Sequence, residues 1–156
     1  MGVFIIAEAG VNHNGDEAIA RDLIKAAWEA GADAIKFQTF IPKLIATHVA
    51  PKANYQRITT GEFEPQLEML EKLQLSHNAF RRLQTGCKKL QISFLSTPFD
   101  LESVQFLHRE LKLETLKIAS GEITNGPLLL AAAQTGRNII LSTGMSTMDD
   151  VRDALS

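Results

Sequence analysis

The sequence holds a single cysteine, Cys87, among 156 residues. An intrachain disulfide is therefore excluded, and the composition fits a reducing compartment. Histidine is also scarce: His13, His48, His77 and His108 are scattered, and with one cysteine they make no zinc motif. No Lys/Arg-rich run is present and the formal net charge is -2, with both signs interspersed, which argues against nucleic acid or anionic lipid as a partner. No window approaches the ~18 consecutive apolar residues of a membrane span. Met1-Gly2 leads straight into Val3–Ala7, without the basic segment that opens a signal peptide. A soluble cytoplasmic protein, with no nucleic acid or membrane partner, is expected.

What is present is an ordinary globular composition: 45% apolar and 22% charged residues, enough for a real core in one domain. Short apolar runs alternate with helical stretches. Val3–Ala7 is a first strand that ends on Glu8. Asn14-Gly15-Asp16-Glu17 has helix-start chemistry, and Ile19, Leu23, Ala26, Ala27 and Ala30 follow at helical spacing up to Gly31. Ala34–Phe37 is a second strand. A long connection with three prolines runs from Gln38 to Pro65; loops of that length are functional or mobile. Gln66–Leu73 and Ser76–Lys88 read as helices, the second capped by Ser76. Gln91–Leu95 is a third strand, and Leu101, Val104, Leu107 and Leu111 mark a helical face. Thr115–Ala119 is a fourth strand. Gly126-Pro127 opens a helix that Gly136 closes. Asn138–Leu141 is a fifth strand, and Thr147 caps a last helix carrying Met148, Val151 and Leu155. Five strand–helix units in a row predict an α/β fold with a parallel sheet covered by helices. The chain stops within a helical pattern at Asp149–Ser156, so it reads as part of a larger fold.

The polar residues collect where the strands end. Glu8 ends the first strand, and Lys36 and Gln38 lie on the second. Ser96-Thr97-Pro98 ends the third. The fourth carries Lys117 and leads into Ser120-Gly121-Glu122, and the fifth ends in Ser142-Thr143-Gly144. In parallel α/β folds ligands bind at the carboxyl ends of strands. A single strand-end lysine is often only half of an ion pair; five polar ends together point to a site. Two lysines, several hydroxyls and glycine-flanked backbone N–H groups suit a small multivalent anion such as a phosphorylated carboxylate. Glu8 and Glu122 stand beside the basic groups and suit proton handling or a sugar hydroxyl. Beside two lysines a carboxylate stays ionised, which favours a base or orienting role for Glu8.

These residues also carry a family resemblance. Ile5–Gly15 (Ile-Ile-Ala-Glu-Ala-Gly-Val-Asn-His-Asn-Gly) resembles the opening motif of N-acetylneuraminate (sialic acid) synthases. Ala32–Thr39, Ser96–Asp100, Lys117–Glu122 and Leu141–Met145 resemble four more of their motifs, in family order across nearly the whole chain. Legionaminate and pseudaminate synthases share most of them, and the Ala-Gly-Val-Asn-His form at Ala9–His13 is nearer the sialic and legionaminic branches. The resemblance implies a TIM-type (β/α)8 barrel, of which residues 1–156 would be about five βα units. The remaining strands and a C-terminal antifreeze-like domain, which reaches into the partner subunit of a dimer, would lie outside. It implies condensation of phosphoenolpyruvate with an open-chain N-acetylated sugar aldehyde, N-acetylmannosamine or a relative, to a nonulosonate and phosphate. It implies a divalent metal, manganese or magnesium, held by histidines on later strands, so no metal ligand is expected here. Lys36, Thr97, Lys117, Ser120 and Ser142 resemble the phosphoenolpyruvate contacts and Gln38 and Glu122 the sugar contacts. Glu8 resembles the essential carboxylate near the reacting carbon. His13, with no second histidine beside it, is read first as a structural loop histidine, with a place lining the site as the alternative.

Two other readings stand beside this one. Lys117 suits the Schiff-base nucleophile of a class I aldolase, and the chain by itself could be a non-catalytic fragment. A doubly wound nucleotide binder is discounted, because Gly10–Gly15 lacks the GxGxxG spacing. Five strands would leave two open sheet edges and apolar strand interiors (Phe4, Ile6, Ile35, Phe37, Phe94, Ile118, Ile140) without an opposing wall. Self-association into a homo-oligomer is therefore expected, and the chain alone is expected to bind metal weakly and not to turn over.

Overall fold

The computed structural model describes residues 2–47 and 65–156. Five parallel strands appear among them: β1 (Ile6–Gly10), β2 (Ala34–Thr39), β3 (Ser93–Pro98), β4 (Thr115–Ile118) and β5 (Asn138–Leu141). β1, β2 and β3 form one ladder and β4 and β5 another. β4 lies alongside β3, so the strands stand side by side in chain order. Between them run α1 (Glu17–Glu29), α2 (Pro42–Ile45), α3 (Gln66–Leu73), α4 (His77–Leu90), α5 (Leu101–Gln105), α6 (Gly126–Ala133) and α7 (Met148–Leu155). Sequential parallel strands need a crossover, and helices supply each one.

The helix starts follow local side-chain chemistry. Asp16 caps α1 by accepting from the Ala18 N–H at 2.6 Å, Ser76 caps α4 through the Ala79 N–H at 3.1 Å, and Thr147 with Asp150 forms a capping box on α7. Asn125 caps α6, which places Gly126 first and Pro127 second in that helix. The buried stripe of α1 is Ala20, Ile24 and Ala27, whereas Ile19 is exposed. The expected face is thus rotated by one residue, onto the set that packs against α4 and β1.

The first three strands extend towards the carboxyl side of the expected ones, β4 stops at Ile118 rather than Ala119, and β5 keeps the expected bounds. β1 begins at Ile6 rather than Val3 and includes Glu8; Val3, Phe4 and Ile5 are exposed. β2 continues through Gln38 to Thr39, because its partners in β3 run to Pro98. Gln91 is not a strand residue: it closes α4 in the left-handed conformation, and β3 starts at Ser93. The helix expected over Leu101–Leu111 widens into a π-helical turn at Phe106–Glu110, which still buries Val104, Leu107 and Leu111 while Leu101 stays half exposed. In the expected loop, β2 takes Gln38 and Thr39 and α2 takes Pro42–Ile45. Residues 48–64, with His48 and the expected loop mobility, lie outside the described residues.

The core sits between the strands and the helices. Ile35, Phe37, Phe94, Leu116 and Ile118 meet Ala20, Ile24, Phe80, Leu83, Leu107 and Leu128 there, with Phe37 and Phe94 stacked at 5.3 Å. Ile35, Phe37, Phe94 and Ile118 are therefore under helices, contrary to the expectation that they lack a wall; of that set, Phe4 and Ile140 are the ones left exposed. Side chains alternate across a strand. The residues between the buried ones, Lys36 and Gln38 on β2 and Lys117 on β4, consequently share the opposite face. No helix is long and apolar enough to cross a membrane among the described residues.

Candidate active site

β1 and β2 pair Glu8 directly with Lys36, and the two side chains form an ion pair. The Lys36 side chain is 16% exposed and that of Glu8 48%, so the cation is the more enclosed partner. Past Glu8 the register slips by one residue, at a bulge that puts Gly10 opposite Phe37. Bulges re-aim neighbouring side chains at sites. Here the bulge leaves Gly10 beside the Glu8 carboxylate and the Gln38 amide: a methyl group on Gly10 would stand 3.1 Å from Glu8 Oε1 and 3.6 Å from Gln38 Nε2. Gln38 is also in register with Thr97 on β3.

Lys117 joins this group from β4. Its Nζ donates to the Ile118 carbonyl. Burial holds it below the usual lysine range, repulsion from Lys36 adds to that, and Glu8 pulls the other way. Glu8, Lys36 and Lys117 thus form one electrostatic unit built from three strands. Ser142 continues it at the end of β5, its N–H bonded to the Ile118 carbonyl at 3.1 Å. Gly144 follows, and a methyl group there would stand 3.5 Å from Ser120 Oγ. The turn after β4 and the turn after β5 therefore meet at Ser120.

Two of the expected groups stand differently. Ser96, one of the strand-end hydroxyls, is fully buried and shares a 2.7 Å hydrogen bond with Thr39 on the helix side of the sheet; it ties β2 to β3 and does not face the lysines. The Glu122 carboxylate accepts from Asn125 Nδ2 at 2.7 Å in the turn that leads into α6, so its hydrogen bond among the described residues is local to that turn. Asp100, just after β3, organises the turn that follows. Its carboxylate accepts from the Ser103 N–H at 2.7 Å, the Ser103 hydroxyl at 2.8 Å and the Ile41 N–H at 2.8 Å, so it fastens the end of β2 to the start of α5. An Asp three residues before a Ser, at a helix start, was the available signal.

His13 is buried behind β1. Its Nδ1 accepts from the Gly15 N–H at 3.0 Å, its ring lies 6.1 Å from that of Phe37, and Nε2 has no hydrogen-bond partner. Burial lowers its pKa, with the Gly10 backbone opposing. The ring packs in the turn after β1 as a loop histidine. His77 stacks on Phe106 at 3.7 Å, and His108 Nδ1 accepts from Arg137 Nε at 3.3 Å. No group of three His, Cys, Asp or Glu side chains that could hold a metal ion occurs among the described residues. A groove of about 730 Å3 runs past Phe4, Leu95, Thr115 and Ile140, and none of the candidate residues lines it.

Known proteins resemble this chain in sequence and fold. A sequence model of the NeuB family matches residues 23–156. The chain is 51% identical over 152 residues to N,N'-diacetyllegionaminic acid synthase of Campylobacter jejuni, covering 97% of this chain and 45% of that protein. It is 46% identical over 155 residues to the synthase of the same name from Legionella pneumophila, covering 99% of this chain and 43% of that one. The crystal structure of N-acetylneuraminic acid (sialic acid) synthetase from Leptospira borgpetersenii, in complex with citrate, matches with a TM-score of 0.82 at 35% identity, covering 99% of this chain and 49% of that one. The five βα units are accordingly the N-terminal part of a TIM-type barrel, and the chain spans a little under half the length of these relatives.

Proposed function

Because this chain belongs to the NeuB family, we propose that the whole protein is a nonulosonate synthase that condenses phosphoenolpyruvate with an open-chain N-acetylated sugar aldehyde. The observation that carries this reading is the meeting of Glu8, Lys36 and Lys117 on one face of three parallel strands. Two ammonium groups in a half-enclosed site suit the phosphate and carboxylate of phosphoenolpyruvate. Thr97, Ser120 and Ser142 supply hydroxyl groups along the same strand ends. Gln38 and Glu122 are assigned to the sugar. Glu8 stands where a carboxylate can steer a proton or water at the reacting carbon.

The names of the two bacterial relatives favour a diacetylated nonulosonate as product. The divalent metal that the resemblance implies, manganese or magnesium, finds no fitting ligand set among the described residues. It therefore takes no step here, and its ligands are assigned to the rest of the whole protein. Those further strands, a C-terminal antifreeze-like domain and a homo-oligomeric state belong to the same reading.

The test is phosphate release by the whole protein from phosphoenolpyruvate, with N-acetylmannosamine and a diacetamido sugar offered separately. Sugar-dependent phosphate and a product of the summed mass are expected, with the diacetamido sugar preferred. Phosphate release that ignores the sugar, or none with either, sinks the reading. One observation favours a second reading: the lowered pKa of Lys117 is what a Schiff-base aldolase would need.

A further inference from the structure

We infer that Glu8 is an internal competitor for the anion site: it neutralises Lys36 and must be displaced when the anionic end of phosphoenolpyruvate binds, so that binding itself frees the carboxylate for the chemistry. The inference rests on the synthase reading and adds to it a coupling between binding and the state of one residue.

The geometry points this way in three steps. Lys36 is the more enclosed member of the pair, and its ion pair goes to Glu8. A ligand phosphate or carboxylate that uses Lys36 must therefore meet or replace that carboxylate. Glu8 in turn is half exposed and lies against the bulge at Gly10, the corner that the Gln38 side chain also borders. A displaced carboxylate therefore has room to turn at a half-open corner shared with a residue assigned to the sugar. Finally, Lys117 responds to both partners in opposite directions, Lys36 lowering its pKa and Glu8 raising it. Glu8 is the carboxylate that faces these two lysines, so its charge opposes theirs. An incoming anion that displaces Glu8 takes over its ion pair with Lys36.

This arrangement makes a counter-intuitive prediction. Removing the charge of Glu8 should strengthen anion binding even as it removes a group needed for turnover. An exposed-to-intermediate ion pair costs a competitor roughly 1.5- to fivefold in affinity. The binding of the Glu8→Gln variant should also fall more steeply with salt, because two uncompensated cations now face the ligand.

The experiment is calorimetric titration of the whole protein and its Glu8→Gln, Glu8→Ala and Lys36→Met variants with phosphoenolpyruvate and with inorganic phosphate, at two salt concentrations. Tighter binding of both probes by Glu8→Gln and Glu8→Ala, roughly 1.5- to fivefold, with a steeper salt dependence, is the expected result. Circular dichroism melting separates a folding defect from a binding change, and the alanine variant supports the conclusion should the glutamine variant melt early. Unchanged or weaker binding by both Glu8 variants, while the unmodified protein binds and Lys36→Met does not, overturns this inference and leaves the synthase reading standing. Absence of phosphoenolpyruvate binding by the unmodified protein overturns the synthase reading itself, and the competition with it.

Discussion

The ammonium group of Lys36 holds the pKa of Lys117 down, adding to the effect of burial, while Glu8 partly restores it. Three residues from β1, β2 and β4 are thereby coupled through charge. Replacing Lys36 by methionine should move the Lys117 pKa up, towards its ordinary value near 10.4. Replacing Glu8 by glutamine should move it further down. The sign for stability follows. A lysine whose folded pKa is depressed is costly to charge in the fold, so it penalises the native state below that pKa. The penalty fades as pH rises through the folded value towards the unfolded one. Titration of isotopically labelled lysine side chains by NMR reads both directions; parallel shifts in the two variants would show that the coupling is not electrostatic.

The same lowered pKa bears on the aldolase reading. A Schiff-base lysine needs a free amine facing a carbonyl. Lys117 instead donates to the Ile118 carbonyl and sits beside a second cation and its carboxylate, an environment that suits anion binding. Borohydride treatment of the whole protein with pyruvate or a sugar aldehyde should therefore leave Lys117 unmodified in the peptide mass map. A reduced adduct on Lys117 would reverse the order of the two readings.

Much of this site was legible because strand ends in an α/β fold are marked by a local signal: an apolar run that stops on a charged or hydroxyl residue. Lys36, Gln38 and Lys117 follow from that signal together with alternation along β2 and β4. What stayed hidden depends on pairing between distant segments. The bulge at Gly10 arises from register with β2, 28 residues or so away in sequence, and nothing local in Ala-Glu-Ala-Gly announces it. Ser96 looked like a site hydroxyl because it adjoins Thr97. Only the register with Phe37 turns it to the helix side, where it meets Thr39. The buried stripe of α1 was misplaced by one residue for the same reason, since Ile19 and Ala20 are equally plausible until α4 is in place.

The clamp between α1 and α4 has a pH signature. Arg82 donates to Glu17 through Nε at 2.8 Å and through a second nitrogen, and Arg21 pairs with the same carboxylate. The Arg82 hydrogen bond, aided by Arg21 and opposed by desolvation, holds Glu17 at about 2. A carboxylate with a depressed folded pKa stabilises the fold above its unfolded pKa, and the contribution is lost as pH falls from about 4.5 to about 2. Both arginines are more than half exposed, so solvent screening limits the loss to about 1 kcal/mol. Urea melts between pH 5 and 2 should show this decline in the parent and a weaker one in Arg82→Met. Equal slopes would mean that the pair adds nothing to stability.

Cys87 makes the opposite prediction at alkaline pH. It is fully buried among the core residues of α4, and burial pushes its thiol up to about 12. The unfolded chain releases the proton near pH 8.5, so stability should fall as pH rises from there towards 12. At neutral pH the native thiol should resist a disulfide reagent such as Ellman's reagent and react fully in urea. Rapid labelling of the native protein would show that α4 opens readily.

Two glycines near β1 should respond differently to alanine. Both have positive φ, at +51° for Gly10 and +77° for Gly15, where a Cβ costs about 1–2 kcal/mol. At Gly15 the added methyl would also lie 2.2 Å from the Lys72 backbone carbonyl oxygen, an atom that cannot step aside without moving the end of α3. Gly15→Ala should therefore destabilise by more than about 3 kcal/mol, combining conformational strain with overpacking. At Gly10 the nearest atoms are the ends of the Glu8 and Gln38 side chains, which can turn away. Gly10→Ala should keep most of the stability yet disturb the two residues that the site needs at that corner. The expected outcome is a large fall in unfolding midpoint for Gly15→Ala with little specific effect on phosphoenolpyruvate affinity in the protein that remains folded. For Gly10→Ala it is a small fall in midpoint with a clear change in that affinity. If the two variants lose stability and affinity in the same proportion, Gly10 acts through the fold alone and the bulge has no separate part in aiming Glu8.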